Sequence, residues 1–257
     1  MCAHGYHFND SSHCHSASQR RFHKSNLQGR TIRTVNITKT IYFVRHGESI
    51  ANIGHPVFLS EEDVTLTDTG HEQAEFNANR CKKLEAEVLM TSTATRAKQT
   101  AEHISKATGL SPEVNALFTE RIPPKELFGR SKTDPEAEKM HQEWILSFFR
   151  ENVRVGSGEN FGDLKERVSK ALGHLLKRPE KSILVATHGF FLHMVIALVV
   201  IGESLTAEEF SKVAPAVWMD NTGITRIEYR DQIFPRVDGK RHTGWVLRVW
   251  NDHAHLG

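Results

Sequence analysis

The sequence predicts an α/β fold, a three-layer sandwich in which a mostly parallel sheet carries helices on both faces. From about residue 38 onward, short runs of β-branched and aliphatic residues alternate with stretches of helical length. Two of the short runs, at residues 40–45 and 182–186, are each followed closely by a His-Gly dipeptide. Because the carboxyl ends of parallel strands share one edge of a sheet, these dipeptides predict a single site with two histidines.

The first half of the chain supplies two strands and two helices. After the strand at 40–45, a helix is expected at residues 67–83, with the hydroxyl of Thr67 as its cap. Residues 88–91 indicate a short buried strand. The next helix, at residues 93–108, ends at Gly109, since glycine readily adopts the left-handed conformation of a C-cap.

The second half begins with a long loop at residues 121–135 that contains three prolines, and long loops in compact domains are often functional. Helices, one strand and two further strand-like runs follow. The helices are predicted at residues 136–150, 161–177 and 189–201, the strand at 182–186 and the strand-like runs at 222–229 and 244–250.

Composition divides the chain into two parts. Residues 1–36 are rich in Ser, His and Arg with few aliphatic residues, which predicts a disordered basic tail before one catalytic domain at residues 37–257. Residues 1–40 hold six basic residues against one acid, a charge of +5, so the rest of the chain carries −3 of the total +2. The tail's composition also suits an organelle import signal, which stays open as an alternative.

The bulk properties exclude several classes of protein. The folded part is acidic, which gives no case for nucleic-acid binding. The longest apolar run, residues 190–201, is too short to span a membrane, and no secretory signal is expected. Three cysteines cannot form a disulfide framework, which favours a reducing compartment, and we expect a cytoplasmic protein that can form a homodimer.

The chemistry is suggested by Arg45-His46-Gly47 at the end of the first strand. A guanidinium binds phosphate oxygens as a fork, and a neutral imidazole can attack phosphorus to form phosphohistidine. His46 is therefore the candidate nucleophile. Arg96 is expected in the first turn of a helix, where both its charge and the helix N-terminus can face an anion.

Further short motifs occur in a fixed order along the chain. They are Arg45-His46-Gly47-Glu48-Ser49 with Asn52, then Leu66-Thr67, Gly70 and Gln73-Ala74, then Ser92, Arg96 and Gln99-Thr100-Ala101, then Thr187-His188-Gly189, and finally Asn221. In these motifs the chain resembles the histidine phosphatase superfamily, also called the phosphoglycerate-mutase-like family. The resemblance extends from about residue 40 to the C-terminus.

The resemblance implies roles for several residues. His46 would carry the phosphoryl group, while Arg45, Arg96, Asn52 and His188 would bind the phosphate, with His188 also stabilising charge in the transition state. The family places a glutamate, the general acid, after its third strand. Glu120 fits that position, and Glu126 in the same loop is the rival. The resemblance implies no metal or other cofactor.

The family includes both phosphatases and phosphoglycerate mutases. Mutases usually carry a longer basic insertion between the acid and the second histidine, whereas only 68 positions separate Glu120 from His188 here. We therefore expect a phosphatase acting on a small-molecule phosphomonoester or a phosphoprotein, with specificity set by residues 121–150. A mutase-type phosphoryl transferase and a non-catalytic phosphate-binding module on the same fold remain alternatives.

Overall fold

The structure, a computed structural model, describes residues 36–233, 242–254 and 256. Within these residues, six strands form one sheet. The strands are β1 (Asn36–Arg45), β2 (Val88–Thr91), β3 (Pro112–Val114), β4 (Ser182–Thr187), β5 (Ile224–Ile233) and β6 (His242–Asp252). Their order across the sheet is β3-β2-β4-β1-β5-β6. The first four are mutually parallel, and β5 and β6 are antiparallel to their neighbours.

Helices cover both faces of this sheet. They are α1 (Asp68–Cys81), α2 (Thr95–Thr108), α3 (Pro135–Ser147), α4 (Phe161–Lys177), α5 (Gly189–Ile201) and α6 (Ala207–Val213). No helix among the described residues is long and apolar enough to cross a membrane.

The alternation of side chains along the strands explains why helices pack on both faces of the sheet and form three layers. Side chains of successive strand residues point to opposite faces, so Phe43 and Val44 belong to different cores. The Phe43 side packs against α3, α4, α5 and α6, and the Val44 side packs against α1 and α2. The predicted α/β sandwich with a mostly parallel sheet is thereby confirmed.

Most of the predicted helix caps and element bounds agree with the structure. Thr67 caps α1 by accepting the N–H of Gly70, and Gly109 ends α2 with a φ of 79°. Strand β1 begins at Asn36, earlier than predicted, because it continues along β5. The predicted tail at residues 1–36 lies outside the described residues except for Asn36, and its disorder stays a prediction.

The sequence analysis missed two short elements. Strand β3 has three residues and begins with a proline at the edge of the sheet, where a missing N–H costs no ladder hydrogen bond. Helix α6 has seven residues and begins with a capping box in which Thr206 and Glu209 satisfy each other's backbone N–H groups. Neither is long enough to show a hydrophobic period.

Candidate active site

The ends of β1 and β4 lie side by side at the carboxyl edge of the sheet. Arg45 is opposite Thr187 in the parallel register, so His46 and His188 follow at the same level. The N–H of His46 donates to the carbonyl of Thr187 at 2.9 Å and extends the ladder beyond the strands. The two imidazole rings are both buried, and their centroids are 5.2 Å apart. The structure thus brings together the two predicted site histidines.

The ring of His46 is fixed by a hydrogen bond at each nitrogen. Its Nδ1 lies 2.7 Å from the carbonyl oxygen of Gly47, and the Nε of Arg96 donates to its Nε2 at 3.1 Å. A carbonyl can only accept and a guanidinium can only donate, so the proton of the neutral ring resides on Nδ1. Nε2 therefore carries the lone pair, as a nucleophile requires.

Both histidines are held in the neutral form. Burial, and then the charges of Arg96 and Arg45, keep the pKa of His46 well below its ordinary value. Burial is also the main reason that the pKa of His188 is well below its ordinary value, followed by Arg96 and His46. His46 is consequently available for attack at neutral pH without losing a proton first.

Close backbone packing orients the turn that carries His46. A Cβ on Gly47 would lie 2.3 Å from the carbonyl oxygen of Gly70, so only glycine allows this turn to touch the start of α1. The N–H of Gly47 donates to the hydroxyl of Thr100 at 3.1 Å. The side-chain amide of Asn221 donates to the carbonyl of His46 at 3.0 Å. These contacts leave the turn little freedom to reorient the ring.

The ring of His188 is fixed by fewer hydrogen bonds than the ring of His46. Its Nε2 lies 2.7 Å from the hydroxyl of Ser92, the residue that follows β2. Its Nδ1 is buried and lacks a hydrogen-bond partner among the described residues. Because a hydroxyl can donate or accept, this contact does not fix the tautomer of His188. The Nδ1 of His188 can therefore accept or donate one further hydrogen bond.

Arg96 links the nucleophile to an acid that the sequence analysis missed. It lies in the first turn of α2, as predicted, and is only 5% exposed. Its Nη2 lies 2.9 Å from an oxygen of Glu61. Burial raises the pKa of Glu61, and the charge of Arg96 opposes that rise. Glu61 belongs to a loop without secondary structure, so no periodic pattern marked it.

Arg45 extends the positive side of the site. Its guanidinium donates to the carbonyl of Met219, while its Nε is buried and has no partner among the described residues. Burial lowers its pKa, and Glu120 and Asp220 oppose that change. A Cβ at Gly189 would lie 3.4 Å from this Nε, so the glycine leaves room beside it. The unpartnered N–H suits an oxygen of a bound anion.

The structure distinguishes the two candidate general acids. The carboxylate of Glu120 lines the pocket and accepts the N–H groups of Phe190 and Phe191 at 3.2 and 2.9 Å, in the first turn of α5. Glu126 is exposed, does not line the pocket, and accepts the N–H and hydroxyl of Ser157. Only Glu120 is placed to reach a bound phosphoester.

Asn52 lies at the rim of the same pocket and is exposed. Its side-chain oxygen accepts the N–H and hydroxyl of Ser49 at 3.0 and 2.9 Å. The amide of Asn221 approaches the same oxygen at 3.4 Å. With the oxygen occupied, the amide nitrogen of Asn52 is the group that remains to donate to a phosphate oxygen.

One cavity of about 240 Å³ is lined by Arg45, His46, Asn52, Glu61, Arg96 and Glu120, and His188 lies outside its lining. Its outer wall is made by two loops that pair with each other. Phe58 exchanges backbone hydrogen bonds with Gly129 and Arg130 at 2.9 and 3.0 Å. The backbone N–H of Lys132 donates to the carbonyl of Pro56 at 2.8 Å. This loop pair faces the strand ends across the cavity.

A second pocket residue that the sequence analysis missed is Arg121. Its guanidinium carbon lies 4.1, 4.8 and 5.5 Å from the ring centroids of Phe190, Trp144 and Phe148. Burial lowers the pKa of Arg121, and Glu120 opposes the change. The Glu120-Arg121 dipeptide could have suggested a site cation, but the aromatic rings come from distant helices.

Comparison with known sequences identifies relatives across most of the chain. The family described as the histidine phosphatase superfamily (branch 1) matches residues 41–238. A protein of Erwinia tasmaniensis named probable phosphoglycerate mutase GpmB is 27% identical over 217 residues, covering 84% of this chain and 94% of the relative. The protein of the same name from Enterobacter sp. is 29% identical with the same coverage.

Solved structures share the fold at lower identity. A putative alpha-ribazole-5'-P phosphatase from Escherichia coli has a TM-score of 0.65 at 20% identity, covering 84% of this chain and 97% of that chain. A mycobacterial glucosyl-3-phosphoglycerate phosphatase has a TM-score of 0.62 at 20% identity, covering 83% and 99%. At this identity the similarity shows the fold and not the substrate.

Proposed function

Since this chain belongs to the histidine phosphatase superfamily, we propose that it is a phosphatase that hydrolyses a phosphomonoester through a phosphohistidine on His46. The observation that carries the proposal is the pair of hydrogen bonds that fixes the tautomer of His46. The Gly47 carbonyl holds the proton on Nδ1, and Nε2 carries the lone pair, which accepts a hydrogen bond from the Nε of Arg96.

In the first step Nε2 of His46 attacks phosphorus, the N–P bond forms, and the ester P–O bond breaks. Fixed positive groups lower the barrier because the transferred group spreads negative charge over its oxygens. Arg45 and Arg96 supply two guanidinium groups, and the unpartnered Nδ1 of His188 supplies a further donor when it carries the ring proton. The amide of Asn52 donates at the rim.

The leaving oxygen takes a proton from Glu120 as it departs. In this mechanism Glu120, held by the N–H groups at the start of α5, receives that proton from the incoming phosphate monoanion or from solvent. In the second step the resulting carboxylate accepts a proton from water while the water oxygen attacks phosphorus. The N–P bond breaks, Nε2 regains its lone pair, and inorganic phosphate leaves.

Water is favoured as the acceptor because two of the arginines between Glu120 and His188 are paired with acids. Arg130 binds Asp134, and Arg154 binds Asp163. A mutase must hold its phosphorylated intermediate in a strongly cationic enclosure. The second candidate, phosphoglycerate mutase activity, is favoured by the names of the relatives at 27% and 29% identity.

The test is phosphate release from a generic aryl phosphate between about pH 5 and about pH 8, for the wild type and His46→Ala. We expect turnover that persists with a chelator and is lost in the variant, since no proposed step uses a metal. Equal turnover in both proteins would exclude His46 as the nucleophile. Incubation with 3-phosphoglycerate followed by phosphorus NMR separates the candidates, because a mutase yields the 2-isomer and a phosphatase yields inorganic phosphate.

A further inference from the structure

A carboxylate is paired with the guanidinium beside the nucleophile. The Nε of Arg96 donates to Nε2 of His46 at 3.1 Å, and its Nη2 donates to Oε1 of Glu61 at 3.2 Å and lies 2.9 Å from Oε2. Glu61 and Arg96 both line the cavity. In the proposed mechanism the oxygens of the phosphate contact this same guanidinium while His46 attacks phosphorus. Glu61 and the phosphate are therefore two anions that share one cation.

The carboxylate of Glu61 depends on Arg96 for its charged form. Its Oε2 is buried and is not aligned to accept a hydrogen bond from any described residue. The carboxylate of Glu120, by comparison, accepts three backbone N–H groups. Burial raises the pKa of Glu61, and the charge of Arg96 is the largest effect that opposes this rise. A change in the charge beside Arg96 consequently acts on the protonation of Glu61.

Two further charged groups act on Glu61. Glu120, from the segment between β3 and α3, adds to the rise in its pKa, and Arg167, from α4, opposes it. Arg167 is already paired, because its guanidinium donates to both carboxylate oxygens of Glu159 at 2.7 and 2.8 Å. Both effects are smaller than that of Arg96. Arg96 is therefore the group that most favours the charged form of Glu61.

The backbone around Glu61 is tied to the start of α2. The carbonyl of Glu61 accepts the N–H of Thr95 at 3.4 Å, and the carbonyl of Glu62 accepts the hydroxyl of Thr95 at 2.7 Å. Since Thr95 precedes Arg96 in the same helical turn, these bonds keep the backbone of Glu61 beside the guanidinium. A proton on the carboxylate removes the repulsion from a second anion without a movement of the loop.

We propose that Glu61 takes up one proton from solvent when a tetrahedral dianion binds beside Arg96, and that its O–H then donates a hydrogen bond to the anion. The inference rests on the proposed function, because it places the phosphate of the substrate at His46 and Arg96. A dianion adds negative charge beside the carboxylate, and like charges disfavour the ionised form. A protonated carboxyl also has a donor that the ionised form lacks. The affinity of the site for a dianion then increases as the pH falls.

Calorimetry with sulfate counts the protons. Sulfate is a tetrahedral dianion that does not titrate near neutral pH, so any proton taken up belongs to the protein. Titrations at about pH 7 in buffers with different heats of ionisation give the number of protons bound per sulfate. We expect the wild type to take up roughly one-half to one proton more than Glu61→Gln, whose amide does not titrate.

The affinity for sulfate provides a second readout. Glu61→Gln has no charge to neutralise, so it should bind sulfate about tenfold more tightly than the wild type at about pH 7.5. The ratio should narrow as the pH is lowered to about 5, because a growing fraction of the wild-type carboxyl is protonated before sulfate binds. Protonation of the two site histidines is common to both proteins and leaves the comparison unchanged.

Two further variants serve as controls. Glu62→Gln removes the neighbouring exposed carboxylate, which does not line the cavity, and should match the wild type in proton uptake and in affinity. Glu61→Asp keeps a titrating group and should retain part of the proton uptake. Thermal melts verify that each variant is folded.

The outcomes separate this proposal from the proposed function. A wild type that binds no sulfate, or binds it without taking up a proton, overturns the proposal whatever the variants do. A folded Glu61→Gln protein with the full wild-type uptake, or with weaker binding, overturns it as well. Uptake that depends on Glu61 in a protein without phosphatase turnover leaves the coupling standing and refutes the phosphatase. Turnover without such uptake does the reverse.

Discussion

Strands β1 and β4 end in the same His-Gly dipeptide, yet the two histidines have different surroundings. The ring of His46 has a backbone acceptor on one nitrogen and a guanidinium donor on the other, so its tautomer is fixed. The ring of His188 has a hydroxyl on one nitrogen and no described partner on the other. The same dipeptide thus has two different settings, and the proposed function assigns attack to the β1 end and charge stabilisation to the β4 end.

The difference arises from what each strand leads into. Strand β1 continues into a turn pressed against α1, where Gly47 touches Gly70 and offers its carbonyl to the ring. Strand β4 continues directly into α5, whose first N–H groups are taken by Glu120. In the proposed mechanism the β4 end therefore supplies the general acid and a donor to the phosphate, while the β1 end supplies the nucleophile.

The test with the largest expected effect replaces each of the two histidines by alanine. His46→Ala is expected to lower kcat by at least about 10⁴-fold, because no other neutral nucleophile has its place, and His188→Ala by about 10²–10³-fold. Trapping of labelled phosphoprotein by an alkaline quench, which preserves the acid-labile N–P bond, should detect the intermediate in His188→Ala and not in His46→Ala. Label that persists in His46→Ala would reverse the assignment.

The second test concerns the acid at the β4 end. Glu120→Gln is expected to lower kcat by about 10²–10⁴-fold with alkyl phosphates and less with 4-nitrophenyl phosphate, whose leaving group needs no proton. Glu126→Gln is the matched control, because that carboxylate is exposed in the same loop and outside the cavity. A larger loss in Glu126→Gln would restore the rival assignment.

A smaller effect is expected from the one hydrogen bond that positions the ring of His188. Ser92→Ala removes the hydroxyl 2.7 Å from Nε2 and should lower kcat about tenfold with little change in KM. The double variant with His188→Ala should lose no more than His188→Ala alone, because Ser92 acts through that ring. Ser169→Ala, whose hydroxyl bonds to Glu203 away from the cavity, serves as the control. Additive losses would show that Ser92 acts independently.

The smallest expected effect is on the free energy of unfolding, and it should be similar for His46 and His188. Both rings have lowered pKa values in the folded protein, whereas a histidine of the unfolded chain binds a proton below about pH 6.5. The unfolded state then binds more protons, so the free energy of unfolding falls as pH drops below about 6.5 and is regained above it. Each ring contributes up to about 1.4 kcal/mol per pH unit.

Urea unfolding of the wild type and both alanine variants, from about pH 7.5 to about pH 5, measures these slopes. Each variant should show a shallower decline than the wild type by a similar amount. Parallel curves for all three proteins would mean that the rings are not neutral in the folded state.

Sequence alone determined the elements and the chemistry that adjacent residues encode. Hydrophobic alternation, the Thr67 cap and the Gly109 end located most strands and helices, because these signals are local in the chain. Two His-Gly strand ends were enough to predict paired histidines, since parallel strands must place their carboxyl ends at one edge. The motifs around Arg45 and Arg96 indicated the family that the comparisons then showed.

Tertiary structure alone decided which polar groups meet. The resemblance favoured Glu120 over Glu126 as the general acid, and the packing of α5 against the loop places Glu120 in the cavity and leaves Glu126 outside it. Glu61 and the aromatic setting of Arg121 escaped notice because their partners are brought together by loops and helices far apart in the chain. Pairwise contacts of this kind depend on the closing of the whole fold, and no periodicity records them.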